Sequence, residues 1–335
     1  MGFSSGLNVI NASTAASPVR CLQPLRSTLH IMTRPTKDEA EKFNAYYKPD
    51  TDFAAFGRLL QSKWRQSKDF PIGERGNYLQ TDFAKSSKAN YLTDKIKTLV
   101  QYEVYRAKVE GKLISEPRIW DNLLSSQPLC FNLFGELHYD LKLATKYFKK
   151  LFPTRVSEVT AIKFEHSPAR GHIDYTGDHS AFDVFIEYLN LDNKKGFIGI
   201  EVKYAETLKD DKVKTEATFQ KHKDAYLKLA TKSKLFPTSS IEVLKGVPLQ
   251  QIWRDHLLSI ATLKDYDEGF FVFLFPSKNK ECQDAVDIYV QQLKTDNEEL
   301  NNFYPRHLET FVDTLSQVCK ADWTVELSKR YLGLS

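Results

Sequence analysis

The sequence is poor in cysteine and has no long hydrophobic run. Its four cysteines, Cys21, Cys130, Cys282 and Cys319, are far apart and form no Cys-x-x-Cys pair. This spacing argues against a zinc ribbon or a disulfide scaffold and fits a reducing, cytoplasmic compartment. The most apolar stretch, residues 269–276, ends at a proline and is far shorter than the roughly 18 residues of a membrane span. It predicts a buried strand, and we expect no membrane partner.

Common nucleotide-binding motifs are also absent. The chain contains neither Gly-x-Gly-x-x-Gly nor Gly-x-x-x-x-Gly-Lys-Ser/Thr, so no motif predicts a bound nucleotide or an ATP-driven motor. The 47 basic and 43 acidic residues give a formal net charge of +4. This small excess permits a nucleic-acid partner without arguing for one.

The N-terminal stretch lacks acidic residues. Residues 1–37 contain no Asp or Glu, are rich in Ser and Thr, and carry Arg20, Arg26 and Arg34. This composition is typical of a transit peptide. The second methionine, Met32, directly precedes helix-like sequence, which favours a disordered tail or a mis-assigned start instead. Of these interpretations, we expect a tail or a mis-assigned start.

The length of 335 residues corresponds to roughly two domains of about 150 residues each. Residues 38–115 have helical patterns: Thr51 is suited to cap a helix, and apolar residues recur near a period of 3.6 between residues 91 and 108. We therefore predict a helical N-terminal region over 38–115 and an α/β domain over 116–335.

The α/β domain is predicted to begin with one long helix, over residues 126–151. Three strands follow, at 157–165, 181–188 and 196–204. The remaining predicted elements are helices at 216–233 and 249–263, a strand at 270–275, and helices at 283–293, 305–319 and 324–331. Because antiparallel strands come first and the last strand arrives through a helical crossover, we expect a mixed β-sheet flanked by helices.

The second and third predicted strands bring two acids and a lysine together. Glu201 and Lys203 share one face, because side chains alternate along a strand. If the hairpin is centred at Asp192, Asp183 lies directly opposite Glu201, with Cβ atoms about 5 Å apart. Two facing carboxylates repel each other, and either Lys203 or a divalent cation would offset that repulsion. Mg²⁺ prefers oxygen ligands, which Asp183, Glu201 and the Val202 carbonyl can offer.

This arrangement suits phosphodiester hydrolysis. A metal ion polarises the phosphate and lowers the pKa of bound water, while Lys203 can orient or deprotonate the water or stabilise the developing charge. The spacing alone is a weak signal, since acid-x-Lys also occurs at 110–112, 192–194 and 210–212. The alternative is a solvated sheet face whose ion pair contributes under about 1 kcal/mol.

The pattern Asp183…Glu201-Val202-Lys203 resembles the PD-(D/E)XK nuclease signature, with Phe182 where a proline often stands. The order of helix, strands, helix and strand is similar to the core of the restriction-endonuclease-like fold. Further stretches resemble bacterial restriction-endonuclease-like proteins of this superfamily: 125–135, 164–168, 180–183, 201–204 and 251–254. The resemblance covers about residues 116–276 and leaves the first hundred residues unexplained.

The resemblance implies metal ligands at Asp183 and Glu201, a catalytic lysine at Lys203, Mg²⁺ or Mn²⁺ as cofactor, and DNA as partner. Nucleases of this type often add a glutamate from the first core helix. Glu136 is the candidate for that metal ligand, and its alternative is a place on the surface of an amphipathic helix. Glu165, at the end of the preceding strand, is either an outer ligand or, as we favour, an edge charge.

A lysine-rich segment follows the predicted site. Residues 203–234 hold nine lysines against five acids, which suits the neutralisation of DNA phosphates or simply a solvated helix face. His166, His172 and His179 lie near the site, but their spacing matches no tight zinc motif.

The sequence therefore predicts a Mg²⁺-dependent DNA nuclease behind a helical N-terminal region. One alternative is a nuclease-fold module that binds nucleic acid or protein without cleaving. Another is an interaction protein whose lysine-rich helix meets an acidic partner. A homodimer is left open.

Overall fold

Five strands form one mixed sheet with helices packed on both of its faces. The computed structural model describes residues 1–2, 34–208 and 212–334. Most of the acid-free stretch 1–37, with Cys21, lies outside the described residues, so the predictions for it stay predictions. The strands are β1 (Glu158–His166), β2 (Phe182–Leu189), β3 (Lys195–Val202), β4 (Glu268–Phe275) and β5 (Phe303–His307).

The helices surround this sheet and also form the N-terminal region. In chain order they are α1 (Lys37–Glu41), α2 (Asp52–Ser67), α3 (Thr81–Ser87), α4 (Asp94–Glu110), α5 (Arg118–Asp121), α6 (Ser126–Tyr139), α7 (Leu141–Leu151), α8 (Lys212–Ser233), α9 (Ile241–Leu244), α10 (Gln250–Thr262), α11 (Lys280–Gln291), α12 (Glu298–Asn301), α13 (Leu308–Val318) and α14 (Asp322–Leu332). No helix in the described part of the chain is long and apolar enough to cross a membrane.

The strand order in the sheet is β1-β2-β3-β4-β5. The first three strands pair antiparallel, whereas β4 runs parallel to β3 and β5 runs parallel to β4. The chain reaches β4 through helices α8 to α10, because a parallel neighbour needs a crossover connection. The predicted mixed sheet flanked by helices is therefore confirmed.

Each face of the sheet has its own apolar layer. On one face, Phe164 of β1 stacks on Phe131 of α6, with ring centroids 4.4 Å apart. On the other, Phe185 of β2 and Phe271 of β4 join a buried cluster with Trp253 of α10. All but the first residue of β4 are buried, which confirms the strand predicted from the apolar run and explains why that run does not alternate.

The helix predicted over 126–151 is in fact two helices, α6 and α7. Asp140 separates them: its backbone N–H bonds to Glu136 at the end of α6, and its side chain accepts a hydrogen bond of 2.9 Å from the N–H of Leu143. Asp is a preferred helix N-cap because its carboxylate satisfies an unpaired backbone N–H. The continuous apolar pattern concealed this break.

The helix predicted over 305–319 begins later, because its first residues belong to β5. Phe303 pairs with Phe271, and Pro305 pairs with Phe273. β5 is an edge strand of the sheet, where a proline is tolerated because its missing N–H removes no bond to a further strand. Helix α13 then starts at Leu308.

The N-terminal helices pack against the C-terminal helix α14. The guanidinium of Arg330 in α14 is fully buried and donates hydrogen bonds to Asn90 and Gln61. Trp64 of α2 lies against it, 4.1 Å from guanidinium carbon to ring centroid, and donates to Glu326 of α14. Buried hydrogen bonds thereby join α2 and the segment before α4 to α14.

Candidate active site

The candidate site lies where β2 and β3 separate at the carboxyl end of β3. Val184 pairs with Ile200 and Ile186 with Ile198, which is the register predicted for a hairpin centred at Asp192. Beyond Val184, the N–H of Val202 donates instead to Oδ2 of Asp183, at 2.8 Å. A carboxylate thus replaces the backbone acceptor at the point where the two strands diverge.

Glu201 and Lys203 form a buried ion pair beside Asp183. Lys203 Nζ lies 2.7 Å from Glu201 Oε1. Lys203 is only 9% exposed and Glu201 only 5%. The side-chain amide of Gln251, in α10, donates to the same Glu201 oxygen at 2.7 Å. Two donors therefore fix the orientation of this carboxylate.

Glu165 of β1 forms a row of three carboxylates with Asp183 of β2 and Glu201 of β3. Phe164 pairs with Val184 and His166 with Phe182, so Glu165 stands level with Asp183 on the neighbouring strand. It is 8% exposed and accepts a hydrogen bond of 2.6 Å from Gln127 of α6. The structure therefore places Glu165 inside the cleft, which differs from the edge charge that the sequence favours.

The backbone of Glu165 is left-handed, with φ of 46°. This conformation costs roughly 1–2 kcal/mol for a residue with a Cβ. Strained backbone of this kind concentrates at functional sites, where the surrounding structure holds it in place.

The row of acids shifts the protonation equilibria of the site. Burial, followed by the charges of Glu201 and Glu165, raises the pKa of Asp183 well above its ordinary range. Burial also raises the pKa of Glu165 to about 7, against the opposing effect of its hydrogen bond from Gln127. Burial alone would lower the pKa of Lys203, but the charges of Glu201 and Asp183 raise it instead.

Helix α10 contributes a further acid that sequence reasoning missed. Asp255 lines the same cleft and is 3% exposed. In the part of the chain that the structure describes, its Oδ2 atom has no hydrogen-bond partner. Burial and the charge of Glu201 raise its pKa well above the ordinary value. Gln251 and Asp255 are four residues apart in a predicted helix, so their common face was a signal available in the sequence.

Glu136 is not brought to this cleft. Its carboxylate accepts from Thr93 Oγ1 at 2.6 Å and lies 3.4 Å from Lys95 Nζ. The start of α6, with Gln127, faces the site. Glu136 lies nine positions after Gln127 in α6, which amounts to about 14 Å along the helix axis.

The side chains of His166, His172 and His179 lie at three different places. His179 lines the cleft, His166 lines a different cavity, and His172 is exposed beside Asp174. Within residues 34–208 and 212–334, no group of three or more His, Cys, Asp or Glu side chains is arranged to hold a metal ion.

The donor set still fits Mg²⁺. This ion commonly takes one or two carboxylates and keeps several waters, so it does not need a cage of three acidic side chains. The cleft encloses about 700 Å³ and is lined by several buried acids. Burial, together with the charge of Glu201, raises the pKa values of Asp183 and Asp255, and a divalent cation would offset the repulsion between these acids.

Basic residues line the mouth of the cleft. Arg118 and Lys221 are both there, and Arg118 donates to Glu206 at 2.8 Å. Lys221 lies on α8, whose described lysines are mostly exposed. Lys209, which belongs to the same lysine-rich segment, lies outside the described residues.

Comparison with known proteins supports the resemblance seen in the sequence. A family model described as the PD-(D/E)XK nuclease superfamily matches residues 48–333, which is most of the chain. No curated protein and no solved structure gave a match. The family match includes α2 to α4 as well as the sheet and its row of acids. The chain therefore belongs to the PD-(D/E)XK nuclease superfamily.

Proposed function

We propose that this protein is a metal-dependent nuclease that hydrolyses DNA phosphodiester bonds. The observation that carries the proposal is the row of Glu165, Asp183 and Glu201 on three adjacent strands, with the Lys203 ammonium bonded to Glu201. A fold alone does not determine an activity. The row of buried acids with a lysine is the group of residues that the chemistry needs.

Asp183, Glu201 and the Val202 carbonyl would hold the metal, which we propose to be Mg²⁺, with Mn²⁺ as a substitute. Glu165, held by Gln127, would act as an outer acid in place of Glu136. The bound cation would supply Lewis-acid polarisation of the phosphate and a lower pKa for bound water.

Lys203 is assigned the stabilisation of negative charge on the phosphate. Burial lowers the pKa of Lys203, but the charges of Glu201 and Asp183 raise it above its ordinary value. The ammonium can donate hydrogen bonds to the phosphate or to the attacking water.

Helix α10 orients the acid that Lys203 contacts. The Gln251 amide and the Lys203 ammonium donate to one oxygen of Glu201. This leaves the second oxygen, Oε2, for a ligand. Catalytic groups need such fixed positions, because small displacements reduce the rate.

The basic rim supports DNA as the substrate. Arg118 and Lys221 line the cleft, and α8 extends the positive surface through exposed lysines such as Lys214 and Lys223. Lysine and arginine side chains bind the phosphate backbone regardless of sequence.

Cleavage of plasmid and labelled duplex DNA by the purified chain tests this proposal. Activity is expected with Mg²⁺ or Mn²⁺ and not with EDTA. Asp183→Asn and Lys203→Ala should each abolish cleavage, whereas Glu136→Gln, remote from the cleft, should preserve it. Folding of each variant is checked by circular dichroism.

Two results would contradict the proposal. One is equal cleavage by the wild type and by the folded Asp183→Asn and Lys203→Ala variants. The other is retention of DNA in a gel without cleavage in any metal, which would assign the chain as a nuclease-fold module that only binds.

A further inference from the structure

Glu206 joins three elements that meet at the cleft. It lies three residues after Lys203, beyond the end of β3. Its Oε2 atom accepts a hydrogen bond of 3.0 Å from the backbone N–H of Tyr204. Its Oε1 atom accepts from the backbone N–H of Ser126 at 2.7 Å and from the Arg118 guanidinium at 2.8 Å. One carboxylate thus connects the end of β3 to the starts of α5 and α6.

The start of α6 depends on this carboxylate. Ser125 is the N-cap residue, and a serine there usually accepts a hydrogen bond from a backbone N–H of the first turn. Within the part of the chain that the structure describes, the Ser125 side chain makes no capping bond, and its hydroxyl accepts from Arg118 Nε at 2.9 Å instead. Glu206, 80 positions further along the chain, supplies the acceptor. Its negative charge also suits the positive end of the helix dipole.

The second residue of α6 extends this connection to the row of acids. The side-chain amide of Gln127 donates to Glu165 Oε1 at 2.6 Å and to the Leu113 carbonyl at 2.8 Å. A shift of the start of α6 would therefore move the group that fixes Glu165. Through Ser126 and Gln127, the position of Glu165 depends on Glu206.

The other side of the connection is the segment that carries Lys203. Tyr204 directly follows Lys203, and its N–H is bonded to Glu206. The carbonyl of Tyr204 accepts from the side-chain amide of Asn279 at 2.9 Å. Hydrogen bonds on both sides of Tyr204 thus fix the segment from which the Lys203 ammonium reaches Glu201.

We infer that Glu206 is a positioning residue of the cleft, which keeps Lys203 and Glu165 in one fixed arrangement around the proposed metal site. The inference rests on the proposed function, because it concerns the same acids and the same lysine. Both oxygens of Glu206 already accept hydrogen bonds, which favours this role over that of a metal ligand. Residues that orient metal ligands typically contribute about 10- to 100-fold to metal affinity or activity.

Two variants break the connection from opposite sides. Glu206→Gln removes the charge and one of the two acceptor oxygens. Ser126→Pro removes the N–H that bonds to Glu206, and Ser126 is the first residue of α6, a position where proline is favoured. Ser125 is already extended, as a residue before proline prefers. Circular dichroism checks folding, and Ser126→Pro alone decides the test if Glu206→Gln does not fold.

Glu268→Gln is the matched control. Glu268 also accepts hydrogen bonds from three side chains, those of Tyr188, Asn190 and Arg155. It begins β4 and pairs with Gly196 at the start of β3, so it lies at the end of the sheet opposite the cleft. Its replacement should lower the midpoint of urea unfolding but leave the site intact.

Mn²⁺ titration of the full chain without DNA and steady-state cleavage with Mg²⁺ are measured for each protein. Glu206→Gln and Ser126→Pro should each weaken Mn²⁺ binding and lower kcat about 10- to 100-fold. The KM for DNA should not rise, because neither variant removes a basic side chain. The double variant should lose clearly less than the product of the two single losses, because both substitutions break one contact. Glu268→Gln should keep Mn²⁺ affinity and kcat within about twofold.

Three results would overturn the inference. They are wild-type Mn²⁺ affinity and kcat in the folded Glu206→Gln and Ser126→Pro variants, equal losses in Glu268→Gln, and no Mn²⁺ binding by the wild type. DNA cleavage that neither variant reduces would leave the nuclease proposal standing without this inference. Mn²⁺ binding that both variants weaken, with no cleavage by the wild type, would support the inference and contradict nuclease activity. The two proposals therefore fail separately.

Discussion

Glu165 shows how the conformation of one residue changes the composition of a candidate site. On a regular strand its side chain would follow the alternation of β1. Its φ of 46° lies outside the extended conformation of a strand. Gln127 holds the carboxylate in the cleft. The strain is therefore coupled to the presence of a third acid beside Asp183 and Glu201.

Replacing Glu165 tests its contribution directly. Glu165→Gln should lower the rate of DNA cleavage about 10- to 100-fold, the range typical for groups that support a metal site. The matched control is Glu136→Gln. It makes the same chemical change at the end of α6 that is remote from the cleft, and it should alter the rate less than twofold. Equal losses in both variants would contradict the assignment of Glu165.

His256 predicts how stability depends on pH. Its ring is fully buried and its two nitrogens contact the Tyr289 hydroxyl and the Asn301 carbonyl. Burial lowers its pKa from 6.5 to about 4. The unfolded chain therefore binds the proton first, and the contribution of neutral His256 is complete above pH 6.5 and lost as the pH falls towards 4. The loss amounts to about 3 kcal/mol.

Urea unfolding at several pH values checks this expectation. The difference in the free energy of unfolding between the wild type and His256→Gln should shrink as the pH falls from 7 to 4.5. His172→Gln, at an exposed position, should show no such trend. A pH-independent difference for His256→Gln would refute the assignment.

At the scale of elements, β3 combines a tightly packed centre with a functional end. Gly199 lies in the middle of the strand, where a Cβ would be 2.4 Å from the ring of Phe182. Phe182 directly precedes Asp183. The packing of β3 on that ring therefore also positions the start of β2, where the first acid stands.

Gly199→Ala should lower the free energy of unfolding by about 1–3 kcal/mol, because the buried ring must shift to admit a methyl group. It should also reduce cleavage, since Phe182 adjoins Asp183. Gly246→Ala is the control: a Cβ there has only an ordinary contact at 3.7 Å. Denaturant unfolding and the cleavage assay measure both effects. A Gly199→Ala protein as stable as Gly246→Ala would contradict the packing account.

At the scale of the whole molecule, buried polar contacts join the N-terminal helices to the rest of the chain. Arg330 of α14 bonds to Asn90, which precedes α4, and to Gln61 of α2. Residues 33–335 accordingly group as one compact unit. The sequence-based division at residue 115 remains a prediction.

Arg330→Met tests this connection. It keeps much of the apolar stem but leaves the Asn90 and Gln61 oxygens without their donor, so the free energy of unfolding should fall by about 1–3 kcal/mol. Arg306→Met is the control, because Arg306 forms a more exposed pair with Glu298 and should cost under about 1 kcal/mol. Similar losses in the two variants would argue against a connecting role for Arg330.

The charge distribution predicts salt-sensitive DNA binding. In EDTA, the logarithm of the binding constant should fall linearly with the logarithm of salt concentration, because bound phosphates release counterions. Lys221→Ala, at the cleft, should reduce that slope by about 1. Lys149→Ala, at an exposed position on α7, should not change it. Unchanged slopes in both variants would exclude α8 from the DNA-binding surface.

The sequence by itself determined the features that depend on local pattern. Strand alternation predicts Glu201 and Lys203 on one face, and the short turn around Asp192 sets the pairing of β2 with β3, which the structure has as far as Val184 and Ile200. The apolar run at 269–276 had the length and composition of a buried strand. These predictions succeeded because side-chain period and turn length are set by neighbouring residues.

Only the tertiary structure decided the features that depend on distant contacts. It turned the start of α6 towards the cleft, so that Gln127 lies there and Glu136 does not. It buried Glu165, added Asp255 from α10, and made a strand of Phe303–His307 through pairing with β4. A sequence pattern gives the face of each element, whereas the end that meets a site is set by packing between elements far apart in the chain.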